Sequence, residues 1–266
     1  MSEIAFNLLD EPWIRLMGED CAVRECTLPQ ALLESHRYRR LAGELPTQNV
    51  AILRLLLAVL HTVFYRVDLD GEEDPIEEPT QALQRWQRLW KAGCFPEAPI
   101  RNYLNEWKER FWLFHPEHPF FQVPSAAAGT QYTAAKLNGE LSESSNKVRL
   151  FPVRAGQDKD GLSYAEAARW LVNLNGFDDT SAKPKGKGLP SPGAGWLGKL
   201  GLVYVEGKTL FETLMLNLTL LKDGRQLWEE PAPVWELDKP REAERTEIAM
   251  PNNQAELLTL QSRRLL

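Results

Sequence analysis

The chain has 266 residues, 43% of them hydrophobic and 26% charged, with 31 Lys or Arg against 37 Asp or Glu for a formal charge of −6. This composition excludes wholesale disorder and an integral membrane protein, and the length is enough to bury a sizeable core. The opening "MSEIAFNLLDEPW" has no basic region or long apolar stretch, and the longest apolar run, 50–60, contains Arg54 and is too short for a bilayer, so a cytoplasmic protein with no membrane partner is expected.

In chain order, "FNLLDEPWIRL" and "CAVREC" flank Gly18 and predict an N-terminal β-hairpin, with Pro12 placing its first strand at an edge. "LPTQNVAILRLLLAVLHTVFYRV" predicts a buried central helix starting at a Thr47 cap. "PTQALQRWQRLWKAG" predicts an amphipathic helix with Leu83, Trp86, Leu89 and Trp90 on one face and a stop at Gly93, and "PIRNYLNEWKERFWLF" predicts another helix. "SYAEAARWLVNLNGF" opens on Ser163 with Glu166 three residues on, the spacing of a capping box. "GLVYVEGKTLFETLMLNLTLL" predicts a strand, a Glu-Gly turn, and then a helix or strand that periodicity does not separate. Strands and helices do not alternate regularly, so the expected fold class is α+β: one large mixed domain, 1–266, with a hairpin, buried helices and long loops.

Charge is distributed unevenly. "DLDGEEDPIEE" (68–78) and "EEPAPVWELDKPREAERTE" (229–247) are acidic and read as solvated linkers, whereas 147–208 holds ten Lys or Arg against six Asp or Glu. Exposed charges act within about 8–10 Å in cell-like salt, so a basic window inside an acidic chain can still direct an anionic partner. Within it, "FDDTSAKPKGKGLPSPGAGWLG" (177–198) combines three lysines, five glycines and three prolines, the make-up of a basic loop.

Catalytic chemistry finds little support. Cys21, Cys26 and Cys94 are scattered without a CxxC pair and predict reduced, packed thiols rather than disulfides or zinc ligands. His115 and His118 in "HPEHP" are the one close histidine pair, but flanking prolines and phenylalanines predict a packed turn, and His61 on the apolar helix reads as a satisfied core histidine. There is no G-x-S-x-G, H-E-x-x-H, Walker A or G-x-G-x-x-G signature, so no enzyme activity, metal or cofactor is expected.

Four stretches in order, "FNLLDEPWIRL", "LAGELPTQNVAILRLLLAVLH", "HPEHPFFQV" and "GKTLFETLMLNL", resemble the N-terminal half of CasA-type large subunits of Cascade, the type I-E CRISPR surveillance complex, with "GWLGKLGLVYVEGKTLFETLMLNL" (195–218) the most specific portion. Members of that family are usually longer and finish in a C-terminal helical bundle; with that bundle expected to be absent from these 266 residues, the chain reads as a truncated large subunit or an N-terminal fragment. The resemblance implies a non-catalytic subunit that recognises the protospacer-adjacent motif in target double-stranded DNA, aids unwinding toward an R-loop beside the guide RNA, contacts other Cascade subunits and recruits a helicase-nuclease in trans. A structural assembly subunit that touches RNA or other subunits without reading DNA is the alternative.

The resemblance also implies long DNA-facing loops. By position, the family's minor-groove loop matches Thr180, Ser181, Ala182 and Lys183, with Lys185 and Lys187 alongside, although members commonly carry glycine where this chain has Ala182. A second family loop matches "SSNKVRLFPVRAG" (144–156), making Asn146, Lys147, Arg149, Phe151 and Arg154 its contact residues. Lysines neutralise phosphates, small residues let the backbone approach a groove, and an aromatic among bases can stack on a nucleobase. Phe151 precedes Pro152, so a core anchor is the other role open to it. The family's lysine finger and polar wedge find no match before Leu266.

Overall fold

The computed structural model describes residues 4–128, 131, 133–137, 161–177, 195–198, 200–238, 251, 253–261 and 263–266. Its first strand, β1 (Ala5–Asn7), pairs antiparallel with a distant strand, β5 (Trp112–Phe114). The expected hairpin forms from β2 (Ile14–Gly18) and β3 (Val23–Cys26), and β4 (Tyr38–Leu41) adds to the other side of β2. β2 is therefore central rather than an edge. Pro12 stands two residues before it, where its missing N–H removes no ladder bond.

A short helix, α1 (Leu28–Leu33), follows the hairpin, capped reciprocally by Thr27 and Gln30. Then α2 (Pro46–Arg66) runs through the centre of the molecule, with Ile52, Leu55, Leu56, Val59, Leu60 and Phe64 almost wholly buried. Its cap is Leu45 and not Thr47, because Pro46 fits the first helical position, where no N–H is needed. Two side chains from inside the helix reach back instead: Gln48 Oε1 accepts from the Glu44 N–H (2.9 Å) and Asn49 Oδ1 from the Gly43 N–H (2.6 Å). At 21 residues, α2 is in fact long and apolar enough to cross a membrane, but its apolar window is 78% buried inside the protein.

The next helix, α3 (Pro79–Ala92), ends as expected on Gly93, whose φ of 72° is the left-handed cap conformation. Its buried side is rotated from the expected face: Ala82, Arg85 and Leu89 point inward, while Leu83 is 54% exposed. The helix expected over 99–114 ends early, as α4 (Glu97–Glu106), because Trp112–Phe114 is claimed by β1. Further on come α5 (Ala134–Leu137), α6 (Tyr164–Phe177), α7 (Leu210–Asn217), the small hairpin β6 (Leu221–Lys222) and β7 (Gln226–Leu227), and α8 (Gln254–Leu258). Helices α4, α6, α7 and α8 all pack on α2. The chain is a mixed α+β fold organised about one helix.

The acidic stretches are not the solvated linkers their charge predicts. Within 68–78, Asp68 Oδ1 accepts three backbone N–H groups and Ile76 is buried. Arg85 donates to the carbonyls of Phe64 (3.2 Å), Val67 (2.7 Å) and Asp74 (2.8 Å) and ion-pairs with Asp74, so it closes the C-terminal end of α2. In the later stretch, Trp235 is buried and donates to Tyr103 Oη (2.7 Å), whose hydroxyl donates to Glu236; Arg66 forks onto the same carboxylate at 2.9 and 2.8 Å. A carboxylate among buried groups persists when it is paired in this way. Residues 239–247 lie outside the described residues.

Candidate nucleic-acid interface

Every residue singled out for DNA contact lies outside the described residues: Asn146, Lys147, Arg149, Phe151 and Arg154 within 138–160, and Thr180, Ser181, Ala182, Lys183, Lys185 and Lys187 within 178–194. What the structure describes is the frame that carries both segments. They flank one helix, α6, the first before its N-terminus and the second after its C-terminus. A helix of 14 residues is about 20 Å long.

The sequence of α6 explains why that frame is firm. Ser163 Oγ accepts from the Glu166 N–H (3.2 Å) and the Glu166 carboxylate accepts from the Ser163 N–H (2.8 Å), which is the capping box the sequence predicts. Ala165, Ala168, Leu171 and Val172 bury an apolar stripe against the core. Polar anchors then fix its rotation. Arg169, nearly fully buried, donates to Trp13 O (2.8 Å) and Glu25 (2.7 Å) and sits 3.6 Å from Glu44; Trp170 Nε1 donates to Glu44 (3.2 Å) and Asn175 to Phe121 O (3.2 Å). Arg169 thus belongs to the interior and leaves the basic surface that its place in the 147–208 window implied.

The end of α6 meets the returning chain directly. Leu197 N–H donates to Gly176 O at 2.9 Å, so the chain on the two sides of 178–194 is joined by a backbone hydrogen bond. The approach is close at Gly176, where a Cβ would lie 2.9 Å from Leu197 Cδ1 and would require that methyl to shift. Beside it, the Arg54 guanidinium of α2 stacks over the Trp196 ring, 4.6 Å from its centroid, and donates to Leu257 O at 2.5 Å. Burial pulls Arg54 down to about 10, so it stays charged at neutral pH. The sequence alone assigned Arg54 and Trp196 no role; the signal available was one cation inside the apolar run 50–60.

Beyond the junction, the strand expected over "GLVYV" is not formed: among the described residues, 201–207 pair with no strand. The segment carries Leu200, Leu202, Tyr204 and Val205 to the surface, with Val203 98% exposed. It is held at one point, where Asn217 Oδ1 accepts the Val205 N–H (3.0 Å) and Asn217 Nδ2 donates to Val205 O (2.7 Å), the side-chain amide standing in for a neighbouring strand. The Glu-Gly turn then docks on α7: Gly207 N–H donates to Thr213 Oγ1 (3.0 Å), Lys208 N–H to Glu212 (2.6 Å), and Thr209 caps the helix. A Cβ on Gly207 would lie 2.2 Å from Glu212 Cβ, so this close approach requires glycine.

The histidines serve packing. His115 Nδ1 accepts from the N–H groups of Glu117 (3.1 Å) and His118 (2.9 Å), and Arg110 contacts His118 Nδ1 at 2.8 Å. Partial burial and then the Arg110 charge lower the His118 pKa. Among the described residues, no three His, Cys, Asp or Glu side chains converge as metal ligands. His61 is buried but not satisfied as expected: its Nε2 has no partner, and burial pushes its pKa down to about 3. Of the thiols, Cys26 is packed, against Tyr38 Oη at 3.3 Å, whereas Cys21 and Cys94 are exposed.

Comparison with known proteins places this frame. The family model described as CRISPR-associated protein Cse1 matches residues 7–266. A CRISPR-associated protein CasA/Cse1 from Thermus thermophilus is 34% identical over 232 residues, covering 87% of this chain and 42% of that protein. The crystal structure of Thermobifida fusca Cse1 superposes with a TM-score of 0.73 at 32% identity, covering 99% of this chain and 49% of its own. A chain of a CRISPR RNA-guided surveillance complex shares the fold, with a TM-score of 0.69 at 22% identity, covering 96% of this chain and 51% of that one. The chain therefore spans about half the length of the relatives it matches.

Proposed function

The chain belongs to the CRISPR-associated Cse1 family, and from that membership we propose that it is the N-terminal α+β domain of a non-catalytic large subunit of a Cascade-type surveillance complex that recognises a short motif in double-stranded DNA. Its partners in this reading are the other Cascade subunits, the guide RNA, the target duplex and a helicase-nuclease recruited in trans, in the cytoplasm. The family match over 7–266 carries the proposal. Support comes from the placement of "TSAKPKGKG" directly after a helix locked by a capping box, a buried arginine and a backbone hydrogen bond to the returning chain. A reader of DNA needs such a rigid base, because base-edge contact requires groups held within hydrogen-bond distance of the groove.

In this reading Lys183, Lys185 and Lys187 hold phosphates and Thr180, Ser181 and Ala182 approach the minor groove, whose degenerate code needs few donors. Asn146, Lys147, Arg149, Phe151 and Arg154 form the second contact, with Phe151 against a base. The test is the affinity of the assembled complex for motif-bearing and motif-scrambled duplexes at two salt concentrations. Replacing the three lysines by Ala is expected to weaken both duplexes and to flatten the salt dependence by roughly 0.9 in slope per lost phosphate contact. Ala182→Phe is expected to weaken the motif-bearing duplex selectively. Ser181 and Ala182 variants that bind each duplex as tightly as wild type binds it refute motif reading by this segment and leave an assembly subunit that does not read DNA.

A further inference from the structure

The junction at the end of α6 contains an arrangement that packing alone does not require. Arg54 projects from a helix whose inward positions are mostly apolar, with Gln48, His61 and Thr62 the buried polar exceptions, and among the described residues Arg54 forms no ion pair. An apolar side chain of similar size suits such a site at least as well for stability, since a desolvated charge is costly without a carboxylate. What the guanidinium adds is direction. It is planar, it stacks on one ring face and it donates in a fixed fork. Here the stacked ring is Trp196, the guanidinium donates to Leu257 O on α8, and the neighbour of Trp196, Leu197, donates to Gly176 O. Three elements, α2, α6 and α8, thereby converge on residues 196 and 197, and a small cavity lined by Arg54, Asn175, Gly176, Trp196 and Leu197 lies between them.

We propose that Arg54 is a positioning residue for motif recognition: by holding Trp196, it fixes where and in what direction the chain leaves and rejoins α6 around 178–194. The inference rests on the reading of 178–194 as a DNA-contacting segment. Arg54 touches no DNA in it. Its effect is transmitted through the Trp196 ring and the Leu197–Gly176 hydrogen bond, so loss of the guanidinium widens the range of orientations at the base while the lysines remain available to phosphates.

The experiment uses the chain in its assembled complex, with Arg54→Met, Arg54→Lys, Trp196→Leu and Trp196→Phe, and Ala182→Phe in parallel. Two quantities are read: amide exchange at Leu197, and the affinity ratio between motif-bearing and scrambled duplexes. Arg54→Met and Trp196→Leu are expected to speed exchange at Leu197 and to lower the ratio by about twofold to thirtyfold, the usual range for coupling through residues that touch no ligand, with little change for the scrambled duplex. Arg54→Lys and Trp196→Phe, which keep a cation and a ring face, are expected to retain most of both. If Arg54→Met fails to assemble, the two Trp196 variants carry the same comparison. Unchanged exchange at Leu197 overturns the junction itself. Faster exchange with an unchanged ratio, while Ala182→Phe lowers it, overturns the positioning role and leaves the DNA-contact reading intact. An unchanged ratio in all variants, Ala182→Phe included, overturns both.

Discussion

His61 shows how one buried side chain sets a pH limit. It sits in the middle of α2 with its Nε2 unpartnered, and burial holds its pKa at about 3 against 6.5 in the unfolded chain. The folded state keeps it neutral, so the stability it permits is complete above pH 6.5 and is lost as pH falls from 6.5 toward 3, at about 1.4 kcal/mol per pH unit. Thermal unfolding at pH 7.5 and 5.5 is expected to show that loss, and His61→Leu to flatten the difference. Gly176 poses the opposite question, because alanine gains about 1 kcal/mol of helix propensity over glycine but must displace a buried Leu197 methyl 2.9 Å away. Overpacking of that kind costs about 1–3 kcal/mol, so the clash outweighs the propensity. Gly176→Ala is expected to lower the urea midpoint, whereas the same change at an open, exposed helix position raises it.

Among the elements, α6 was legible because its signals are local: a capping box spans four residues, and apolar spacing marks its buried stripe. α2 was legible for the same reason, apart from a cap that Gln48 and Asn49 supply from within. The failures are long-range. Nothing in "WLF" announces a strand until β1 is brought beside it, and "GLVYV" has the composition of a strand but needs a partner, which among the described residues is one asparagine side chain. Acidic runs misled for a related reason, since charge in sequence does not reveal a partner such as Arg85 or Arg66. The DNA-contact residues themselves were named from family resemblance, and only their frame has a described structure. Arg169 offers a check on that frame: Arg169→Met removes the cation from between Glu25 and Glu44, and with Glu25 still partly in water and Glu44 keeping the Trp170 indole N–H, the expected loss is about 2–3 kcal/mol, below the full penalty of a broken buried pair. Chemical denaturation measures it, and a loss near zero means that α6 is held by its apolar stripe alone.

For the molecule as a whole, the organising fact among the described residues is that strands are few and short and that α4, α6, α7 and α8 are gathered about α2. Packing of this kind keeps the surface free for a sequence such as 200–205 to stand exposed without disturbing the core. It also ties the central helix to partners far along the chain, for α7 begins at Leu210 and α8 at Gln254. During synthesis, α2 emerges with the mean hydropathy of a membrane span, 1.5 over its apolar window. Roughly 190 residues separate its end from the end of α8, which is about 10–40 s of translation at 5–20 residues per second. For that interval a nascent chain presents the ribosome's exit site with a segment that targeting factors cannot tell from an anchor by hydropathy. Over the same interval the charge of Arg54, costly at the centre of a bilayer, weakens the segment's claim to lipid before it has any other work to do.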